Sequence, residues 1–443
     1  MSSQQSQPEY GAFGRRVEKM GIPRPLFWGF VAVFIFMIGD GVEISRLPGY
    51  LAGPGGLNGA QASLTTGTVY GLAVLVASWL SGTLSSIWGP LRVMQLGAAI
   101  WIVFEVIFLV FAINSGSLLF VATIYGIRGL AYPLFAFGFL VWIQTVARVE
   151  LRSSAAGWFW FAFTGGLPTL GSLVAAFSAP VIGVYNTFWL SLGIVIVGSA
   201  VGCFAVREAQ GARPIADETV EDPTSYKRLF EGIDILWRDP RVLMGGVVRI
   251  VNTSPQFGFF FFMPFVFVAA NSQDGFMSGA QYSTLLSVVY ATNIFANLFF
   301  GIFGDYFGWR KTVTVFGCLG CAVSTPLWYF GSLASGSYVV CLLLGALYGA
   351  LLAGFVPLSA LMPSMVQHHD KGASLAIYNT GAGGAAFVGP AIAAALSPFI
   401  GYGGVVITYA ALYVVCAGLT WFITSPADPG EEGQMEQDAP ATA

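Results

Sequence analysis

Charge is what this chain has least of. Of 443 residues only 9% are Asp, Glu, Lys or Arg, while 56% are hydrophobic; a water-soluble globular chain carries about 25% charged residues. That shortage argues against a soluble enzyme, and a net charge of −3 offers no basic face to a nucleic acid, so no nucleic-acid partner is expected. Histidine is scarcer still: His368 and His369 sit beside Asp370 in a polar stretch and read as a solvated loop. The five cysteines, Cys203, Cys318, Cys321, Cys341 and Cys416, all fall in apolar runs. Cys318 and Cys321 make a CxxC, but neither a second pair nor a nearby His completes a metal set; all five read as small packing residues, and no metal or cofactor is expected. Hydrolase signatures such as HExxH and GxSxG are missing as well, so no enzyme is expected. The start of the chain is polar for about 24 residues and its first apolar run is too long for a cleaved leader, so no secretory signal is expected.

What fills the chain instead is a series of apolar runs of about 20 residues, the length a helix needs to cross roughly 30 Å of hydrocarbon. Twelve are expected, over 26–49, 60–84, 92–113, 117–146, 154–180, 186–206, 241–270, 280–303, 311–331, 337–362, 373–398 and 403–424. This predicts an all-α membrane protein of twelve transmembrane helices in two pseudo-symmetric six-helix bundles, 26–206 and 241–424. A terminal segment 1–25, a polar linker 207–240 with one short amphipathic helix near "YKRLFEGIDILW", and an acidic tail 425–443 complete the chain. Of 19 Lys and Arg, three (Arg46, Arg128 and Arg249) lie inside spans; with twelve spans the other sixteen all fall on one side. The positive-inside bias then puts both termini and the linker in the cytoplasm of a cell-membrane protein, surrounded by lipid.

The halves repeat. "GTLSSIWGPLR" from Gly82 and "GIFGDYFGWRK" from Gly301 are 219 residues apart, as are Arg152 and Lys371; "APVIG" at 179–183 and "SPFIG" at 397–401 are 218 apart. Six helices repeated as six is the pattern of a transporter whose site lies between two rocking halves. The run Gly301-x3-Asp305-x2-Gly308-x-Arg310-Lys311 resembles the loop motif of the major facilitator superfamily; its first-half copy carries Ser86 in place of the acid and Pro90 in place of a base. "GDGVEISRLPGYL", "YGIRGLAYPLF", "GWFW", "VRIVNT" and "FVPLSALMP" followed by "KGASLAIYN" resemble the polyol permeases, the ribitol and D-arabinitol transporters. That resemblance implies the major facilitator fold, a monomer, and inward transport of a sugar alcohol or related sugar, with a proton.

Six charged side chains lie within the spans: Asp40, Glu43, Arg46, Glu105, Arg128 and Arg249. Each would cost about 2.5–3.5 kcal/mol unpaired at a helix centre, so they must be paired, hydrated or protonated. Asp40 and Glu43 share a helix face. The resemblance brings the first and fourth spans together, which makes an ion pair of Asp40 or Glu43 with Arg128 the expected proton-coupling unit. Burial favours the neutral acid and a nearby guanidinium the carboxylate, so a pair that forms and breaks moves a proton. Either acid, or both together, can carry it. Glu105 is open between a structural role and a part in coupling.

A sugar alcohol needs amide and hydroxyl partners and an aromatic wall. Arg249, Asn252 and Gln256 form a polar stripe on the seventh span, and Tyr132 lies one turn after Arg128. Trp160 and its repeat counterpart Asn379, 219 residues on, are expected cavity walls. Asp305, Arg310 and Asn297 are assigned to a conformational latch, with Asp305 favoured near a helix N-terminus and able to pair with a base across the halves. The competing readings are a carrier of organic anions or sugar acids, with Arg128 and Arg249 holding a carboxylate, and an uncoupled polyol facilitator.

Overall fold

The computed structural model describes residues 12–206, 208, 211–215, 228–268 and 275–429. Eleven helical stretches are long and apolar enough to cross a membrane: Arg24–Leu51 (α1), Leu64–Trp88 (α2), Pro90–Ala112 (α3), Leu118–Val146 (α4), Val149–Ile182 (α5), Val184–Ala205 (α6), Pro240–Phe267 (α7), Gln281–Phe307 (α8), Trp309–Ser335 (α9), Tyr338–Ser364 (α10), and Lys371–Thr420. The last is two helices. Gly401, at φ 66° and ψ 173°, breaks it into 371–400 (α11) and 402–420 (α12). Among the described residues there are therefore twelve spans, as the hydropathy pattern predicts. The linker contributes a helix, Arg228–Arg238, whose Arg238 holds Asp370 at 3.0 Å beside the start of α11.

The two-fold repeat extends to single dihedrals. Gly89 and Gly308 both turn the chain at positive φ, 89° and 104°, into α3 and α9; Gly183 and Gly401, at φ 84° and 66°, do the same into α6 and α12. A side chain at these positions would be strained, so glycine sets each tight turn. Phe177, Val181, Phe295 and Phe399 stand outward and exposed, which suits a hydrocarbon surround and no aqueous one.

The halves meet along two seams, α2 against α11 and α5 against α8. Small residues let the backbones close on each other there. A Cβ on Gly157 of α5 would stand 2.7 Å from the Asn297 carbonyl of α8, and one on Gly82 of α2 would stand 2.5 Å from the Ala376 backbone of α11. Both contacts lie toward the end that carries the linker. Away from that end, Gly67 and Gly71 of α2 have nothing within 4 Å of a Cβ position. Among the described residues the halves close on each other toward the linker side, while Gly67 and Gly71 toward the other side face open space. Gly157→Val cannot fit this state, so a Thr164→Cys reporter in that background is expected to lose labelling from the side opposite the linker. Unchanged labelling would show that the seam tolerates the extra methyl groups.

Candidate functional site

One turn separates Asp40 from Glu43 on α1, and one turn separates Trp101 from Glu105 on α3; both pairs face Arg128 of α4. The Arg128 Nη2 lies 3.0 Å from Asp40 Oδ1 and 2.6 Å from Glu43 Oε2. Its Nε lies 2.8 Å from Glu105 Oε2. The Trp101 indole donates to Asp40 Oδ1 at 2.9 Å, and its ring lies under the guanidinium at 4.2 Å. All four charged side chains have no exposed surface. Just past Arg128, Pro133–Phe137 winds as a π-helical turn, which loosens α4 beside the cluster.

The three acids and three bases within the spans do not pair one to one in this arrangement. Arg46 and Arg249 lie elsewhere, and three carboxyls share one guanidinium. With all three ionised the cluster would carry two uncompensated negative charges in a dry interior, where such charge is expensive. Glu105, which the sequence left open, belongs to the cluster. Its signal was depth: Asp40 and Glu105 both lie about 13–14 residues, roughly 20 Å, into spans that run in the same direction.

In front of the cluster, between the halves, is a cavity of about 380 Å³. Tyr70 and Tyr132 form its wall toward the charges; Tyr70 stacks on Tyr125 at 4.9 Å, whose ring lies 5.2 Å from the Arg128 guanidinium. The opposite side is lined by Arg249, Thr253 and Gln256 of α7 and by Asn293 and Asn297 of α8, with Trp160, Thr164 and Phe355 closing the linker end. Tyr132, Trp160, Arg249 and Gln256 thus all line this cavity.

Asn252 does not. It donates to the Gly317 carbonyl of α9 at 2.7 Å and is fully buried. A three-residue step rotates about 60° from the Arg249 line to one side, whereas four residues rotate about 40° to the other, so Thr253 and not Asn252 joins the cavity face. Asn379 is also displaced: it donates to Ser81 Oγ of α2 at 2.9 Å and ties the α2–α11 seam below the cavity. The repeat carries Trp160 onto Asn379 in position, but α11 presents Ala382, Gly383 and Ala386 to the cavity instead.

The expected latch divides as well. Asp305 reaches across the halves, yet its partner is a helix end and not a base: it accepts from the Ser153 N–H at 3.1 Å and the Ser154 N–H at 2.8 Å, and from the Ser154 hydroxyl, inside the first half. Those are unpaired donors at the start of a helical segment, where a carboxylate is favoured. Asn297 spans the halves, donating to Thr164 Oγ1 at 3.4 Å, and lines the cavity at the same time. Arg310 stays in its own half, donating to the Trp421 carbonyl at 3.2 Å at the end of α12, where a cation suits the helix dipole. In the first-half copy Ser86 bonds back to its own helix at Gly82, and among the described residues the seam facing Gly372 shows no such carboxylate clasp.

Comparison with known proteins agrees with this architecture. Residues 246–442 match the Major Facilitator Superfamily. The chain is 37% identical over 405 residues to a D-arabinitol transporter of Klebsiella pneumoniae, covering 91% of this chain and 93% of that one. It is 37% identical over 414 residues to an alpha-ketoglutarate permease of Bacillus subtilis (strain 168), covering 93% and 92%. Among solved structures, the proton:xylose symporter XylE superposes with a TM-score of 0.70 at 14% identity over 94% of this chain and 97% of that one. A twelve-helix membrane transporter with its cavity between two repeated halves is the class these features define. The chain belongs to the major facilitator superfamily, in its polyol permease subfamily.

Proposed function

We propose that the protein imports a sugar alcohol by alternating access, one or more protons moving with it. The observation that carries this reading is the adjacency of two differently built compartments. One is a cavity of amides, hydroxyls and aromatic faces suited to a polyol. The other is a dry carboxyl–guanidinium cluster that lies behind Tyr70 and Tyr132, with Tyr125 between Tyr70 and Arg128. A substrate that displaces those tyrosines changes the surroundings of Asp40 and so the balance between ion pair and neutral acid.

In this reading the termini and linker face the cytoplasm, the monomer is the working unit in the cell membrane, and the closed linker side makes the present state outward-facing. The D-arabinitol transporter supports the neutral polyol as substrate; the equally similar alpha-ketoglutarate permease is named for a carboxylate substrate.

The test is uptake into proteoliposomes of known orientation. An inward proton gradient is expected to drive labelled D-arabinitol above its external concentration, and adding D-arabinitol without a gradient should alkalinise the external medium. Equilibration without accumulation, indifferent to the gradient, would replace symport with facilitated passage.

A further inference from the structure

The two buried arginines are treated in opposite ways. Arg128 has three carboxyls within 3.0 Å. Arg249 has only 1% of its surface exposed, lines the cavity, and among the described residues has no carboxylate within ion-pair distance. Its guanidinium donates to the Thr253 hydroxyl and is boxed by three rings, Phe355 at 4.1 Å and Trp160 and Tyr378 at 5.0 Å each. Its Nε is buried without a hydrogen-bond partner. Ring faces satisfy a guanidinium above and below its plane. They leave unmet the in-plane N–H groups that Thr253 does not take, Nε among them, and such an edge matches a carboxylate.

We propose that Arg249 is an anion anchor, and that the cavity takes polyhydroxy carboxylates of the aldonate type more tightly than the neutral polyol of the same chain length. This rests on reading the central cavity as the substrate site. The ligand class follows from what surrounds the arginine. Gln256, Thr164, Asn293 and Asn297 supply amide and hydroxyl partners for a hydroxylated tail. Among the described residues Arg249 is the single cation lining the cavity, which suits a monoanionic carboxylate and leaves a phosphate dianion half compensated. Arg128 cannot share the task, because its charge is already more than met. The arrangement distinguishes the two arginines that the sequence offered together as carboxylate ligands.

The experiment is displacement of labelled D-arabinitol from purified protein in nanodiscs near neutral pH. Unlabelled D-arabinonate is expected to displace it at a concentration about tenfold or more below that of unlabelled D-arabinitol. Arg249→Met should raise the arabinonate concentration required by about 30-fold or more and that of arabinitol by a much smaller factor. Arg249→Lys, which keeps the charge and loses the fork, should fall between. If arabinonate fails to displace arabinitol from the unmodified protein, the anchor is overturned while polyol binding stands, and this arm needs no variant to fold. Equal weakening of both ligands in Arg249→Met would reassign the arginine to hydroxyl binding. If labelled arabinitol does not bind at all, the polyol reading fails, and direct binding of labelled arabinonate then decides the anchor by itself.

Discussion

Arg128→Met is expected to cost more stability than any other single replacement in the first half, about 3–5 kcal/mol, and to abolish transport. The substitution keeps most of the side-chain volume and its packing on Trp101. What it removes is the one positive charge facing Asp40, Glu43 and Glu105, none of which has any exposed surface. Three carboxyls without a cation must be folded as neutral acids, while the unfolded chain is free to ionise them. Protons are then taken up on folding, so the deficit should shrink as the pH falls from about 8 toward about 5. Thermal unfolding of the purified variant across that range checks both the size and the sign. A loss that is the same at every pH would mean that shape, not charge, holds the cluster together.

The same logic makes Glu105 separable from its neighbours. In Arg128→Met, adding Glu105→Gln removes one of the acids that must be neutralised and should restore part of the lost stability. In the unmodified background the same change removes a partner of Arg128 Nε. The two effects should therefore be strongly non-additive, as expected for groups in one network. Additivity within about 0.5 kcal/mol would place Glu105 outside the network despite its 2.8 Å approach.

Legibility followed the physics of each feature. Span count, repeat offset and the Asp40–Arg128 neighbourhood could be read because hydrocarbon imposes length and penalises lone charge wherever they occur. The resemblance added which spans lie side by side, which no periodicity could supply. Errors arose where a local rule had to choose a direction. Asn252 and Thr253 are one residue apart and face different helices; only the packing of α7 against α9 and α12 chooses between them, and Asn252 is held there by Gly317 and by the Tyr413 hydroxyl. Asn379 failed because repeat symmetry transfers a position in the chain but not the neighbour across the seam. The partner of Asp305 was hidden for a further reason: backbone N–H groups at Ser153 and Ser154 leave no trace in a residue pattern, whereas a base would have.

Asp40→Asn is expected to abolish accumulation of substrate against a gradient while leaving substrate exchange across the membrane within a fewfold of normal. The amide preserves the local geometry. Its oxygen still accepts from the Trp101 indole and from Arg128, the two bonds that Asp40 Oδ1 makes at 2.9 Å and 3.0 Å. Its cost in stability is therefore small, about 1 kcal/mol. What is lost is the ability to alternate between charged and neutral forms. The other oxygen, Oδ2, is buried with no hydrogen-bond partner, a place for a proton that the surrounding protein does not fill. Asp40 is favoured over Glu43 because the Trp101 indole holds it behind the tyrosine wall of the cavity. Glu43→Gln should weaken coupling less, since Glu105 still offers a second carboxyl to Arg128. The measurement is the steady-state ratio of internal to external labelled polyol under an imposed proton gradient, set beside the rate of counterflow in its absence. Full accumulation by both single variants would remove the proton from this cluster altogether, and the carboxyl–guanidinium group would then serve only to fix α1, α3 and α4 in register.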